Sequence, residues 1–301
     1  MKLVVTGGAG FIGSHLVKYL VKEGHDISVI DNLYRGKMEN LKDVEKEIDF
    51  FKSDIMNYEK MRDILKQTDG VFHQAALTSV PESFIKIEKY RSVNIGGTEN
   101  IFKLAKEFGF KVVFASSASI YGNTTTIPIT ENFKRKPINP YGITKLEAEY
   151  LAEKYSKSGT QIIGLRYFNV YGKGQTPDYA AVITKFLENT IIGKPPIIFG
   201  DGSQVRDFIS IDDVCRANLL AMTSDVKNGF FNIGTGIATS IKNLADLMIR
   251  LSGKSLKPEY DNLPDGDIKL SQADILLAKK FLSWEPKITL EEGLRNLFNA
   301  N

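Results

Sequence analysis

Seven residues near the N-terminus, Gly7–Gly13 (GGAGFIG), lie between a short apolar run and an amphipathic stretch. The run Leu3–Val5 is typical of a buried parallel strand, while Ile12, Leu16 and Leu20 recur at helical spacing. Glycines at such a junction permit a tight turn and a close approach of the backbone to a pyrophosphate, which the helix N-terminus attracts. The segment therefore predicts the first strand, turn and helix of a dinucleotide-binding domain. The residues predicted to contact the pyrophosphate are Gly7, Gly10, Phe11, Ile12 and Gly13.

An acidic residue narrows the choice of dinucleotide. The glycines fit G-x-x-G-x-x-G from Gly7 or G-x-G-x-x-G from Gly8, and Asp31 follows Gly13 after 18 residues, at the end of the next apolar run. A carboxylate there accepts hydrogen bonds from ribose hydroxyls and repels a 2′-phosphate, which favours NAD over NADP. Arg35 is near enough in sequence to soften that repulsion.

Apolar runs alternate with helical stretches along the first half of the chain. The predicted strands lie near residues 3–5, 27–31, 49–51, 71–73, 112–114 and 161–165, and the predicted helices near 12–23, 58–66, 92–108 and 141–157. Such alternation is typical of βαβ units, which form a parallel sheet with helices on both faces. The expected fold class is α/β, a doubly wound parallel sheet of the Rossmann type.

The rhythm loosens after about residue 170. Helical stretches near 179–192, 212–222, 240–252 and 290–299 are separated by loops, and the run 230–233 reads as a strand that returns to the sheet. We predict that residues 1–170 form the NAD-binding domain, with return segments near 205–235. Residues 171–301 would form mainly a smaller, interleaved C-terminal substrate lobe, with the ligand in the cleft between the two.

The composition excludes several classes of protein. The chain has 301 residues, a net charge of +3 and no basic run, so nothing indicates a nucleic-acid partner. Its single cysteine, Cys215, excludes an intrachain disulfide and a metal site built from several cysteines, and no metal is expected. No apolar run approaches the ~18 residues of a membrane span, and the N-terminus lacks a signal-peptide core. A cytoplasmic protein with no membrane partner is the expectation.

Tyr141 and Lys145 are the candidate chemical pair. They open a predicted helix at a spacing of four, which puts both side chains on one face. A tyrosine that acts as a base near neutral pH needs its pKa lowered from about 10 to about 7, a change of about 4 kcal/mol. A cation about 4 Å away, at an effective dielectric constant of about 20, supplies about that much. For the pair taken alone, a solvated helix face is the alternative.

Ser117 supplies the context for this pair. It ends a predicted strand within Phe114–Gly122 (FASSASIYG), and ligands of open α/β sheets bind beyond the carboxyl ends of the strands. Its hydroxyl could hydrogen-bond both a substrate hydroxyl and Tyr141. This context favours a chemical role for Tyr141 and Lys145 over a solvated helix face.

The chain resembles the extended short-chain dehydrogenases/reductases over nearly its whole length. Within that family it is most similar to the UDP-glucose and UDP-N-acetylglucosamine 4-epimerases. The motifs that carry the resemblance are Gly7–Gly13, Asp31–Leu33, Asp54–Ile55, His73–Ala76, Val93–Thr98, Phe114–Gly122, Tyr141 with Lys145, Arg166–Asn169, Gly200–Gly202, Arg206–Ile209, Asn232–Gly234 and Gly266–Ile268.

The resemblance implies a role for each matched residue. Ser117 would be the catalytic serine, Tyr141 the catalytic acid/base and Lys145 its activator, and both Tyr141 and Lys145 would also border NAD. The further residues implied to border NAD are Asp31, Asn32, Asp54, Ile55, Gln74, Ala75, Ala76, Asn94 and Phe168. The residues implied to contact the nucleotide sugar are Ser117, Asn169, Arg206, Asp267 and Ser271.

The activity implied by the resemblance is NAD-dependent C4 epimerisation of UDP-hexoses through a transient 4-keto sugar. The expected substrates are UDP-glucose and UDP-galactose, with UDP-GlcNAc and UDP-GalNAc as further candidates. The alternatives are another nucleotide-sugar enzyme, such as a 4-ketosugar reductase or a UDP-glucuronate epimerase, and a non-catalytic NAD-binding regulator. A homodimer formed through the helix that carries Tyr141 is also implied.

A few positions distinguish this chain from related subgroups. The two residues after Ser117 are Ala118 and Ser119, so the acidic pair that nucleotide-sugar 4,6-dehydratases use to expel water is missing. Pro264 stands where the family usually has an arginine aimed at the diphosphate. Ser271 matches the position where epimerases restricted to unsubstituted hexoses carry a tyrosine, so it would leave room for an N-acetyl group.

Overall fold

The computed structural model describes residues 1–175, 182–262 and 268–300. Its strands are β1 (Lys2–Thr6), β2 (Asp26–Asp31), β3 (Ile48–Lys52), β4 (Gly70–His73), β5 (Lys111–Ser117), β6 (Ile162–Tyr167), β7 (Asn169–Tyr171), β8 (Ile197–Phe199), β9 (Val205–Arg206), β10 (Phe208–Ser210), β11 (Asn228–Ile233), β12 (Thr239–Ser240) and β13 (Glu259–Asp261). Its α-helices are α1 (Phe11–Lys22), α2 (Tyr58–Leu65), α3 (Val80–Ile85), α4 (Ile87–Arg91), α5 (Thr98–Phe108), α6 (Pro140–Ser156), α7 (Val182–Ile191), α8 (Ile211–Thr223), α9 (Ile241–Ser252), α10 (Leu276–Leu282) and α11 (Leu290–Asn299).

A parallel sheet of seven strands lies at the centre of the described residues, in the order β3-β2-β1-β4-β5-β6-β11. The chain proceeds from β1 toward one edge and then from β4 toward the other. The carboxyl ends of β1 and β4 are therefore the topological switch point, where open α/β sheets bind ligands. This sheet confirms the doubly wound fold predicted from the sequence.

Both faces of the sheet are covered by helices because the strands are apolar on both sides. On one face, buried residues of α1, α8 and α10 form a core with Trp284, which is fully buried. On the other face, buried residues of α2, α5 and α6 pack against residues such as Phe114 of β5. The helix α6 begins where Asn139 caps it, because the Asn139 side chain accepts a hydrogen bond from Gly142 N at 2.8 Å.

A further apolar cluster lies in the C-terminal part of the chain and is formed by α7, α9, α11 and the short strands β8 and β10. The chain enters this part through β7, which pairs with β10. It returns to the sheet through α8 and β11 before it leaves again. Among the described residues, no helix has the length and apolar character needed to cross a membrane.

Two short helices, α3 and α4 at residues 80–91, have no counterpart among the elements predicted from the sequence. Residues 276–282 form α10, between the predicted helices near 240–252 and 290–299. The predicted helix near 92–108 begins with a wide turn of π-helix at residues 92–97, and α5 follows it. Helices of five to seven residues span fewer than two turns, so apolar periodicity has too little length to reveal them.

Candidate active site

A cleft of about 700 Å³ opens beyond the carboxyl ends of the central strands. A cavity of this size is typical of small-molecule and cofactor sites. The predicted site residues that line it are Gly7, Gly10, Phe11, Ile12, Gly13, Asp31, Asn32, Asp54, Ile55, Gln74, Ala75, Ala76, Ser117, Tyr141, Lys145, Phe168 and Asn169. Three predicted residues, Asn94, Arg206 and Ser271, do not line the cleft. Asp267 and Pro264 lie outside the described residues.

The glycine-rich turn brings backbone to the floor of the cleft. Gly7 has a φ of +69°, a region that residues with a Cβ rarely adopt. A Cβ on Gly13 would lie 2.1 Å from Gly7 O, so the first turn of α1 packs directly on the loop. Gly10 precedes α1 without any side-chain cap, and the first turn has no acidic residue. The backbone N–H groups at the N-terminus of α1 have no side-chain cap and can therefore bind an anion.

Asp31 is buried at the end of β2, with 7% of its surface exposed. Its Oδ2 accepts a hydrogen bond from Ala9 N at 3.0 Å, and its Oδ1 accepts one from Leu33 N at 2.8 Å. Burial raises the pKa of Asp31, and these two backbone hydrogen bonds oppose the rise. Each carboxylate oxygen has further lone-pair capacity, which a pair of ribose hydroxyls can use. Arg35 donates a hydrogen bond to Glu82 at 3.2 Å, so its guanidinium is held by that carboxylate.

The loop after β2 also contributes residues that the sequence reading missed. A Cβ on Gly36 would lie 2.8 Å from Asp31 Oδ2 and from Ala9 Cβ, so only glycine fits against the carboxylate there. The Asn40 side chain and Lys37 N both donate hydrogen bonds to Ala9 O, at 2.8 and 3.0 Å. These contacts fix the glycine turn. The glycine shortly after the acidic residue is the one sequence signal that could have indicated them.

Asp54, which the resemblance implies to border NAD, lines the cleft. Its Oδ2 accepts a hydrogen bond from Asn32 Nδ2 at 2.7 Å, and its Oδ1 accepts one from Met56 N at 2.9 Å. Ile55 is buried against Gly97, where a Cβ would lie 2.4 Å from Ile55 Cδ1. The ends of β2 and β3 therefore form one connected wall of the cleft.

The three predicted catalytic residues meet on the opposite wall. Ser117 Oγ accepts a hydrogen bond from Ser119 N at 3.1 Å, and its interaction with the Tyr141 hydroxyl acts to lower the pKa of that tyrosine. Lys145 Nζ lies 5.9 Å from the centre of the Tyr141 ring and donates a hydrogen bond to Ala115 O at 2.8 Å. The geometry thus joins the end of β5 to the first two turns of α6.

Burial governs the electrostatics of Tyr141. Burial raises the pKa of Tyr141, and the interaction with Ser117 opposes the rise. Burial also lowers the pKa of Lys145 to about 8, so the ammonium remains mostly protonated at neutral pH. A further positive charge in the cleft would favour the phenolate form of Tyr141 and lower its pKa.

Asn94 lies behind the cleft wall and is 2% exposed. Its Oδ1 accepts a hydrogen bond from Leu77 N at 2.8 Å, and its Nδ2 donates to Leu77 O at 2.9 Å and to Thr144 Oγ1 at 3.0 Å. Its amide is therefore occupied by the protein itself. Asn94 holds the segment after β4 against α6 and does not reach the cavity.

The predicted substrate residues lie at the C-terminal side of the site. Phe168 is buried and lines the cleft together with Asn169, whose backbone N–H donates to Asp207 O at 2.9 Å. Arg206 donates hydrogen bonds to Val205 O at 2.9 Å and to Ile268 O at 2.5 Å. Ser271 N donates to Val205 O at 3.1 Å, so Ser271 lies beside Arg206 on the neighbouring segment. The described residues include no cluster of three or more His, Cys, Asp or Glu side chains that could hold a metal ion.

Comparison with known proteins assigns this fold and motif set to a family. Residues 3–234 match the sequence model of the NAD dependent epimerase/dehydratase family. The chain belongs to that family. NAD is the family's cofactor, which agrees with the selection expected from Asp31. The cleft fits it, because an uncapped helix N-terminus and the Asp31 carboxylate line the same cavity.

Several relatives cover almost the whole chain. The crystal structure of UDP-glucose 4-epimerase with UDP-glucose from Thermotoga maritima is 38% identical, covers 99% of this chain and 98% of its own, and has a TM-score of 0.94. The structure of UDP-N-acetylglucosamine 4-epimerase from Methanobrevibacter ruminantium in complex with UDP-N-acetylmuramic acid is 36% identical, covers 99% and 97%, and has a TM-score of 0.93. A UDP-glucuronate 4-epimerase of Thermodesulfobacterium geofontis is 38% identical over 98% of this chain and 94% of its own. This family membership confirms the resemblance found in the sequence.

Proposed function

We propose that this protein is an NAD-dependent 4-epimerase of UDP-hexoses. The observation that carries the proposal is the meeting of Ser117, Tyr141 and Lys145 on the wall of the cleft that the glycine turn and Asp31 also line. A cofactor on the glycine turn would bring its reactive ring toward this wall. A regulator that only senses NAD needs no tyrosine, serine and lysine in this arrangement.

The residues of the chain supply the proton chemistry. Bound NAD supplies a hydride acceptor that can return the hydride to the same carbon. Tyr141, in its phenolate form, takes the proton of the sugar's C4 hydroxyl and later returns a proton to the C4 oxygen. Ser117 holds the Tyr141 hydroxyl and offers a hydrogen bond to the oxygen at C4. Lys145 keeps a positive charge near the phenolate because its Nζ is fixed by Ala115 O.

We further infer that residues 1–170 form mainly the NAD-binding domain and residues 171–301 mainly the substrate lobe. Asn169 lines the cleft at the junction of the two. Arg206 lies close to it in the fold, because β10 pairs with β7 immediately after Arg206. A cation there suits the diphosphate of a nucleotide sugar.

The decisive experiment incubates the NAD-loaded protein with UDP-glucose, UDP-GlcNAc and UDP-glucuronate and separates the products by chromatography. We expect the C4 epimer of at least one UDP-hexose, with no net consumption of NAD. Conversion of UDP-glucuronate alone would replace the hexose assignment with the glucuronate alternative. No conversion of any sugar, with NAD bound, would refute the epimerase proposal.

Ser271 is proposed as the residue that admits an N-acetyl group at C2. Ser271 is buried, and its backbone N–H is hydrogen-bonded to Val205 O, next to Arg206. A serine side chain leaves more room for the substituent at C2 than a tyrosine does. We expect Ser271→Tyr to lower kcat/KM for UDP-GlcNAc far more than for UDP-glucose. Equal losses on both substrates, or no N-acetyl activity in the wild type, would show that Ser271 does not control substrate width.

We propose a homodimer through the face of α6 and α3. Apolar side chains on these adjacent helices are exposed, with Phe84 at 58%, Ile85 at 82%, Ile143 at 41% and Tyr150 at 49%. An apolar patch of this kind is typical of a protein interface. Sedimentation should show a dimer that Ile85→Glu weakens, while Leu276→Glu, on the exposed side of α10, leaves it intact. A monomeric wild type would refute this interface.

A further inference from the structure

One buried carboxylate, Glu149, joins several of the elements that carry the site. It lies on α6, one turn after Lys145, and is fully buried. Its Oε1 accepts hydrogen bonds from Ser116 Oγ at 2.6 Å and from Arg166 Nε at 2.8 Å. Its Oε2 accepts hydrogen bonds from Arg166 Nη2 at 2.8 Å and from Arg135 Nη1 at 3.1 Å. Four donors thus occupy the four lone-pair positions of one carboxylate.

The partners of Glu149 continue a row of polar side chains across the sheet. Ser116, Arg166 and Asn232 occupy the same register on β5, β6 and β11. Arg166 Nη1 donates a hydrogen bond to Tyr121 Oη at 2.8 Å, and Tyr121 Oη donates to Asn232 Oδ1 at 2.7 Å. The row therefore links three neighbouring strands to α6 through Glu149.

The last three residues of β5 are each bound to α6. Lys145 donates to the Ala115 carbonyl at 2.8 Å, and Glu149 accepts from Ser116 at 2.6 Å. The third contact is the interaction of the Ser117 side chain with Tyr141. The first and third contacts contain the predicted catalytic residues, whereas the contact of Glu149 with Ser116 contains none. That middle contact lies between the other two along the strand.

We infer that Glu149 is a positioning residue, whose carboxylate fixes the end of β5 and the strand β6 against α6 and so sets the distance between Ser117 and Tyr141. The inference rests on the proposed function, because it concerns the alignment of that catalytic set. Glu149 also holds Arg166, two residues before Phe168 on the cleft wall. One carboxylate thereby aligns both sides of the reacting centre.

Stability alone does not explain a buried ion pair of this kind. Desolvation of the two charges offsets much of their attraction, and well-packed apolar residues often stabilise a core as well or better. Apolar side chains at these positions would not fix the orientation of β6 relative to α6. The two parallel hydrogen bonds from Arg166 to Glu149 fix both the distance and the angle between these elements. Catalysis is sensitive to this, since a misplacement of about 1 Å can cost about 100-fold in rate.

Two variants test the inference, and a third is the control. Glu149→Asp keeps the charge and shortens the reach, while Ser116→Ala removes one hydrogen bond and leaves the ion pair with Arg166 in place. Glu153→Asp is the matched control, because Glu153 lies one turn further on α6, is 38% exposed and pairs with Arg135. Thermal unfolding and bound NAD show which variants fold.

The first measurement is the kinetics of UDP-sugar conversion. We expect Glu149→Asp to lower kcat by about tenfold or more and Ser116→Ala by about threefold, each with KM within about twofold of the wild type. A general loss of structure would instead reduce the amount of active protein and its NAD content. Glu153→Asp should match the wild type in both constants.

The second measurement needs no turnover. Tyrosine labelled with carbon-13 in the ring reports the pKa of Tyr141 in the NAD-loaded protein, and Tyr141→Phe identifies its resonance. A longer distance to Ser117 weakens the interaction that favours the phenolate. We therefore expect this pKa to rise in both test variants and to stay unchanged in Glu153→Asp.

The outcomes separate this inference from the proposed function. If the wild type converts no UDP-sugar, the epimerase proposal fails, but the Tyr141 titration still decides the role of Glu149. If Glu149→Asp does not fold, Ser116→Ala decides alone. A folded, NAD-loaded Ser116→Ala protein with the wild-type Tyr141 pKa and the wild-type kcat overturns the inference.

Discussion

Replacing His73 with glutamine should remove much of the protein's loss of stability in acid. His73 ends β4 at the switch point of the sheet and is 3% exposed. Its Nδ1 lies 2.7 Å from Thr6 Oγ1, and its Nε2 lies 2.9 Å from Thr98 Oγ1. The Thr98 hydroxyl donates its proton to Asn94 O at 2.6 Å, so it accepts from His73 Nε2–H. Because burial lowers the pKa of His73, the ring is neutral, and Nδ1 then accepts a hydrogen bond from the Thr6 hydroxyl.

The size of the effect follows from the pKa of His73. Burial, together with the nearby charge of Lys145, lowers this pKa from 6.5 to about 3. Because the folded pKa lies below the unfolded one, the stabilisation is complete above the unfolded pKa and is lost as pH falls toward the folded pKa. Between pH 7 and pH 4.5, His73 becomes protonated in the unfolded chain but remains neutral in the native protein. The free energy of unfolding should fall by about 2.5 kcal/mol over that interval from this residue alone.

The assay is denaturant unfolding of the cofactor-free protein at a series of pH values from 7 to 4.5. His73→Gln should be less stable than the wild type at pH 7, since its hydrogen bonds are altered, but its stability should fall less with acid. Val71→Ala is the control, because Val71 is a fully buried neighbour on β4 that does not titrate. It should lower stability by a similar amount at every pH. If His73→Gln and the wild type lose the same free energy between pH 7 and 4.5, the argument is wrong.

Three further substitutions test the site. Tyr141→Phe should lower kcat by at least ~10²-fold, the lower range for general acid–base catalysis, with UDP-sugar binding kept, and near-normal turnover would mean that another base acts. Asp31→Ala should raise the affinity for NADP relative to NAD, and equal binding of both by the wild type would contradict the role of the carboxylate. Gly13→Ala should abolish tight NAD binding, because its Cβ would lie 2.1 Å from Gly7 O and would push α1 off the turn. Gly96→Ala is its control, since the nearest atom there is a flexible Met56 methyl at 3.5 Å, and a loss of NAD in both variants would reject the steric explanation.

The sequence predicted the fold because its signals are long and regular. Each strand of the central sheet contains a short apolar run that can be recognised from the sequence. The helices α1, α5 and α6 extend for 11 to 17 residues. The short helices α3 and α4 were not predicted, since contacts with neighbours far along the chain support them. Glu82 of α3 shows this, because it binds Arg35, which lies 47 residues earlier in the chain.

The sequence predicted which residues lie at the site, but it did not predict which contacts each of them makes. Most of the predicted residues line one cleft, because the carboxyl ends of parallel strands must meet at one edge of the sheet. Asn94 carries an amide suited to a ligand, yet the structure uses both ends of that amide on Leu77 and Thr144. Whether such an amide binds a ligand or the protein depends on hydrogen-bond partners in distant segments. The spacing of residues along the chain does not reveal those partners.

By itself, the sequence determined the doubly wound parallel sheet, the glycine-rich turn between β1 and α1, the acidic residue at the end of β2 and the spacing of Tyr141 and Lys145. These follow from local rules, namely strand and helix periodicity, glycine geometry and the alternation of strands with helices. Only the tertiary structure decided that burial raises the pKa of Tyr141 and that Lys145 lies 5.9 Å from its ring. Only the tertiary structure placed Glu149 between β5, β6 and α6. The reason is physical, because desolvation and hydrogen bonding depend on which distant groups share a volume from which water is excluded.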